Sequence, residues 1–225
     1  MLPVDTRSRG QTDADIRALL IPRLLQDAVR SNSLLIEELG LMSGEFRADI
    51  AVLGTKLIGY EIKSETDTLS RLPRQAAAYG AIFDEVWLVA SSKHIAAALL
   101  KIPEFWGVLE APPGASALVE VRAAGAHVSH DAISIAALLW RDETLGELQR
   151  RGAERGVKSK PRRELWARLT EVTTLPELRQ IIVERMRART LKSRVGIWLA
   201  HVSPQFHAEG QEASPLSTPL PCANN

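Results

Sequence analysis

Asp49 and Glu61 are separated by eleven residues, and Lys63 follows Glu61 by two. Two carboxylates and an ammonium are groups that can hold a divalent cation and act on a water or a phosphate beside it. Whether they meet depends on the chain between them. Phe46–Leu53 and Leu57–Lys63 read as strands, with Gly54-Thr55-Lys56 as the turn. In that register Leu53 faces Leu57, and Val52–Ile58, Ile50–Tyr60 and Ala48–Ile62 form one apolar face. The other face pairs Asp49 with Glu61, Ala51 with Gly59 and Arg47 with Lys63. A slip of one residue would mix the two faces, so burial of one face fixes the register.

Directly opposed strand residues have Cβ atoms about 4.5–5.5 Å apart. Two carboxylates at that spacing repel, which drives one toward protonation unless a cation lies between them. Arg47 and Lys63 supply part of the compensation, and Mg²⁺ or Mn²⁺ would supply more. Lys63 leaves the strand on the same side as Glu61, where an ammonium can orient a water or stabilise charge on a phosphate. Ala51 and Gly59 leave room for a ligand. The alternative is a surface hairpin whose outer face carries ordinary ion pairs, such as Glu61 with Arg47.

The elements that must position this hairpin follow from periodicity. Residues 13–31 read as an amphipathic helix carrying Ile16, Leu19, Leu20, Leu24 and Ala28, with Thr12 and Asp15 as a capping pair. Residues 33–39 fit a short strand or another helical turn, and Gly40 to Gly44 breaks it. After Ser64 the pattern is helical to about Phe83, with Pro73 as a break or restart. Val86–Ala90 reads as a strand, His94–Lys101 as a helix, and Trp106–Glu110 and Ala117–Arg122 as further strands. This order predicts an α/β core with a mixed central sheet flanked by helices. From Ala132 onward the chain is helical: Ala132–Leu139, Asp142–Arg151, Arg162–Val172 and Pro176–Arg189. Three units are expected: a core over residues 1–130, a basic helical segment over 131–200, and a disordered Ser/Pro-containing tail over 201–225. The tail also offers a scaffold role toward a protein partner.

Composition narrows the function classes. The 225 residues carry a net charge of +1, yet Arg150 to Arg194 holds 14 Lys+Arg against 5 Asp+Glu, leaving 14 and 22 for the rest. A basic segment on an acidic body suits an anionic partner such as DNA. The competing reading is a helical cap packed through Leu165, Trp166, Leu169 and Leu178. Cys222 is the single cysteine, which excludes a disulfide framework. No stretch is long and apolar enough for a membrane span, and Met1–Gly10 lacks a secretory h-region, so a cytoplasmic location is expected. His127 and His130 lack partners at zinc spacing and read as surface residues. Trp87 and Trp106 read as core, and homo-oligomer formation is left open. No phosphate-loop or dinucleotide fingerprint occurs.

Asp49 followed by Glu61-Ile62-Lys63 resembles the D…(D/E)-X-K signature of the PD-(D/E)XK nuclease superfamily. Gly44-Glu45-Phe46-Arg47-Ala48-Asp49 resembles its approach to the first acid, with Ala48 in place of the nominal Pro. Gln75-Ala76-Ala77-Ala78-Tyr79 is similar to the Q-X-X-X-Y helix motif of RecB-type members, and Gln75 and Tyr79 share a helix face. The run from about Leu35 to Val89 looks like a small bacterial group in this superfamily. The resemblance implies a restriction-endonuclease-like core and hydrolysis of DNA phosphodiesters in repair, restriction or mobile-element defence. It implies Asp49 and Glu61 as metal ligands for Mg²⁺ or Mn²⁺, Lys63 as the water-assisting residue, and an upstream acid, Glu38, with Glu37 as its rival. Gln75, Tyr79 and Arg47 would position the site or the DNA. Ser64 and Arg74 could touch phosphate, although Ser64 equally suits a helix N-cap and Arg74 a solvated position. Leu145 to Leu169 resembles SAP-like DNA-binding modules. The rival to an enzyme is a non-catalytic DNA-binding protein that retains the nuclease fold.

Overall fold

The computed structural model describes residues 10–127 and 129–192. Helix α1 (Asp13–Arg30) opens on a capping box in which Thr12 and Asp15 satisfy each other's backbone N–H groups. Strands β1 (Leu34–Leu41), β2 (Phe46–Leu53) and β3 (Leu57–Lys63) form an antiparallel meander. A 3-10 turn, Met42–Gly44, links the first two. Helix α2 (Leu72–Gly80) leads to β4 (Glu85–Ser91), α3 (Ser92–Leu99), β5 (Gly107–Ala111) and β6 (Val119–Arg122). The six strands lie in sequence order in one mixed sheet, β3–β4 and β4–β5 being parallel. Four helices follow: α4 (Ala132–Ala136), α5 (Arg141–Arg150), α6 (Arg162–Glu171) and α7 (Leu175–Lys192).

Both faces of the sheet are covered. Ile16, Leu20 and Leu24 of α1 pack on Leu35, Ile50, Val52, Tyr60 and Ile62. The opposite face buries Leu53, Leu57, Leu88 and Val108 against Leu72, Tyr79 and Phe83, and against Leu165, Trp166, Leu169 and Leu178 of the C-terminal helices. The basic segment is thus a helical cap on the sheet. Part of its charge faces inward: Arg179 pairs with Asp84, Arg185 with Glu147 and Arg189 with Glu143. Its exposed cations cluster instead between Arg150 and Arg163, in and around the α5–α6 connection.

Several expectations need correction. The helix predicted from Ser64 begins only at Leu72, with Pro73 in its first turn, where proline lacks no hydrogen bond. Ser64 therefore caps no helix; its Oγ donates to Asp67 Oδ2 at 2.6 Å and braces the loop before α2. Ala51 and Gly59 do not leave ligand space. Ala51 is fully buried, and a Cβ on Gly59 would lie 2.6 Å from the Phe83 ring and 2.9 Å from Tyr79. The missing side chain makes room for two aromatic rings. His127 and His130 are packed rather than surface residues: His127 stacks on Phe105 at 4.1 Å between centroids, and the His130 side chain is nearly closed to solvent. Trp106 is core, as expected. The tail beyond residue 192 and residues 1–9 lie outside the described residues.

Candidate functional site

The β2–β3 ladder runs as the apolar pattern requires from Leu53–Leu57 through Val52–Ile58 and Ala51–Gly59 to Ile50–Tyr60, and there it stops. Strict alternation fails at the next residue. Ala51 and Leu53 lie on the face covered by α2, and so does Ala48, whereas Ile50 and Val52 lie beneath α1. Strand β1 changes face in step. Leu34 and Ile36 share a cluster with Leu39 and Leu41, across a break at Glu37–Glu38 where Glu38 adopts a φ of 58°. The expected Ala48–Ile62 pairing on one apolar face is therefore lost. Glu37, Glu38 and Asp49 occupy the crossover itself.

Freed from the ladder, Asp49 accepts a hydrogen bond from the Ile62 backbone N–H at 2.7 Å through Oδ2. Its side chain does the work of the absent strand carbonyl, which holds it beside Glu61. Glu61 is 1% exposed, and three side chains donate to its carboxylate. Its Oε1 accepts from Lys63 Nζ at 2.5 Å and Gln75 Nε2 at 2.6 Å, and its Oε2 from Tyr79 Oη at 2.6 Å. Gln75 and Tyr79 are one helical turn apart on α2, so one face of that short helix grips both carboxylate oxygens. The predicted Gln75–Tyr79 pair thus stands against the acid after which it was expected to act.

The remaining predicted residues divide. Glu38, Arg47 and Arg74 line the same cleft as Asp49, Glu61, Lys63, Ser64 and Gln75, a polar hollow of about 1210 Å³. Of the two acids Glu37 and Glu38, Glu38 lines it and Glu37 does not. Arg47 pairs with Glu38, and the exposed Arg74 lies 3.3 Å from Glu45 and over the Phe46 ring. Arg17 and Arg71 also line the cleft and were not singled out from sequence. Arg17 sits on the polar flank of a helix whose apolar stripe alone is periodic, so no local signal marks it.

The electrostatics centre on Asp49. Its carboxyl is raised to about 7, chiefly by burial and next by the neighbouring Glu61 charge, against the pull of the Ile62 N–H, Lys63 and Arg17. Burial and the same Glu61 charge push the Tyr79 phenol well up, so it remains a donor. Because the folded chain holds the Asp49 proton more tightly than the unfolded chain, its contribution to stability is fully present below about pH 4 and disappears as pH rises through about 7. In chelator, the stability gap between the Asp49→Asn variant and the native chain should therefore widen in the variant's favour across that window. Chemical denaturation at several pH values measures it, and a gap that is flat from pH 4 to 8 would contradict the assignment.

Oxygen donors of this kind fit Mg²⁺ or Mn²⁺. Such ions are commonly held by one or two carboxylates completed by water and phosphate, and a cation would relieve the repulsion that raises Asp49. Asp49 and Glu61 are the two residues that would hold it. Among the described residues, no three His, Cys, Asp or Glu side chains converge to form a complete protein cage.

The sequence profile of the family described as Bacteriophage P4 protein cII matches residues 7–205. The chain belongs to that family. The protein cII of Enterobacteria phage P4 is 28% identical over 98 residues, which is 44% of this chain and 37% of that protein. The match therefore spans little more than a third of the cII relative's length. A solved structure, the SPO1766 protein of unknown function from Silicibacter pomeroyi, aligns at a TM-score of 0.38 with 18% identity. It covers 67% of this chain and 98% of that one, and at this score it carries no argument about the site. No described helix is long and apolar enough to cross a membrane.

Proposed function

We propose that the chain is a Mg²⁺- or Mn²⁺-dependent nuclease that hydrolyses DNA phosphodiester bonds, built on a PD-(D/E)XK-type core. One observation carries the reading. Glu61 is gripped by Lys63, Gln75 and Tyr79 and faces Asp49, at the wall of an open cleft that also presents Arg47, Arg71 and Arg74. A surface hairpin with incidental ion pairs has no reason to bury an acid this completely and satisfy it from three side chains.

A divalent ion held by Asp49 and Glu61 would supply positive charge to a phosphate and acidify a bound water. The chain's own groups do the rest. Lys63 Nζ, within 2.5 Å of Glu61 Oε1, holds or orients the water that attacks phosphorus and offsets charge on the phosphate oxygens. Gln75 and Tyr79 lock the carboxylate rotamer, and the arginines at the cleft rim bind the backbone of the strand without reading its bases. The test is cleavage of linear, circular and single-stranded DNA with and without Mn²⁺. Metal-dependent cleavage is expected and should be lost, by roughly 10³-fold or more, in Asp49→Ala. Full activity in that variant would refute the reading.

The second reading, a DNA-binding protein that retains the fold without catalysis, is favoured by Arg47, Arg71 and Arg74 lining the cleft, since phosphate binding needs no catalytic centre. It predicts DNA binding with no Mn²⁺ site that Asp49→Asn removes, which calorimetric titration detects.

A further inference from the structure

The Arg17 guanidinium lies in the wall of the cleft and engages acids from three elements at once. Nε donates to Asp13 Oδ1 at 2.6 Å, Nη1 to Glu37 Oε2 at 2.9 Å and to the Asp49 backbone carbonyl at 3.2 Å, and Nη2 to Glu38 Oε1 at 2.8 Å. Nη2 also lies 4.0 Å from Asp49 Oδ1. Its side chain is 15% exposed, so these contacts are only partly screened. Two details show what the fork holds in place. The β1–β2 register, continued through Glu37–Ile50 and Leu39–Ala48, sets Glu38 opposite Asp49. Glu38 nevertheless has the left-handed backbone of φ 58°, a strained conformation for a non-glycine residue that persists only where surroundings enforce it. Arg17 and Arg47 hold its two carboxylate oxygens.

We infer that Arg17 is a built-in counter-cation that keeps Glu38 out of the metal's coordination shell, so that the cleft takes one divalent ion on Asp49 and Glu61 alone. Resting on the metal reading above, it assigns Arg17 as a positioning residue. A planar fork suits the task better than an ammonium would, because it spans Glu37, Glu38 and the Asp49 carbonyl with fixed geometry. Withdrawing the fork leaves Glu38 and Asp49 as facing carboxylates with one cation fewer between them, and a divalent ion is the species that best replaces the lost charge. Affinity for such ions rises with the number of charged ligands available.

Calorimetric titration of the full chain with Mn²⁺ alone tests this in a double-mutant cycle, needing no catalytic readout. The native chain and Glu38→Gln should bind one ion with equal affinity. Arg17→Met should bind about tenfold more tightly or take a second ion, and Arg17→Met/Glu38→Gln should return to the native value. Arg17→Lys, which keeps the charge and loses the fork, should fall between and serves where Arg17→Met fails to fold. Native binding that Glu38→Gln weakens would overturn the inference while leaving the metal centre standing. So would an Arg17→Met or Arg17→Lys chain of unchanged affinity and stoichiometry. Absence of Mn²⁺ binding in every variant would remove the metal centre and the inference together.

Discussion

Replacing Lys63 with methionine should lower the rate of Mg²⁺-supported DNA cleavage by roughly 10²–10³-fold while leaving Mn²⁺ binding intact. The reason is a division of labour within one strand. Glu61 and Lys63 leave β3 on the same side, and Lys63 Nζ donates to Glu61 Oε1. Methionine keeps the length and most of the volume of the stem while removing the charge and all three donors. Gln75 and Tyr79 still hold both oxygens of Glu61, so the carboxylate stays in place for the cation. With one positive charge fewer nearby, metal affinity should hold or rise. A single-turnover cleavage assay beside a calorimetric Mn²⁺ titration separates the two effects. Unchanged cleavage would remove Lys63 from the chemistry, and lost metal binding would recast it as a structural group.

Glu61→Ala should cost about 3 kcal/mol of folding stability, at the lower edge of the range for breaking a buried ion pair. Three donors converge on this side chain, and its removal strands the ammonium of a lysine that is 10% exposed. One gain offsets part of the loss. Glu61 is the second cause of the raised Asp49 carboxyl, and deleting it relieves that repulsion. The deletion is therefore expected to fall short of the upper end. For a chain of this size the melting temperature should drop by roughly 6–12 °C in chelator. Glu61→Gln, which keeps the shape and an acceptor oxygen, should recover about half of that. A shift below about 2 °C for Glu61→Ala would mean that the three bonds are not a unit.

The hairpin was legible because one face of it is apolar. Leu53–Leu57 through Ile50–Tyr60 follow directly from that pattern, and the mixed character of the sheet, though not its strand order, follows from alternating strand and helix signals. Asp49, Glu61, Lys63, Gln75 and Tyr79 could be named because motif spacing and helical phase survive translation into space. Three things were not legible. The change of face at Asp49 depends on a paired break in β1, and nothing in either strand alone announces it. The space opposite Gly59 is filled by Tyr79 and Phe83, residues twenty or more positions away, so a small residue looked like vacancy. Arg17 is marked only by tertiary partners, since an arginine on the polar side of an amphipathic helix is the commonest place to find one. Position along the chain is enough to find groups that share an element, and not enough to find the counter-charge that another element brings.

The joint change of face in β1 and β2 has one further effect. Had both strands alternated regularly, Asp49 would lie in the dry layer with Ala51 and Leu53, beside an acid already sealed from water. The half-turn instead puts Ala48 into that layer and leaves the Asp49 side chain about a fifth exposed. Asp49 lines the open hollow, so solvent reaches its carboxyl without any opening of the hydrophobic layers on either side.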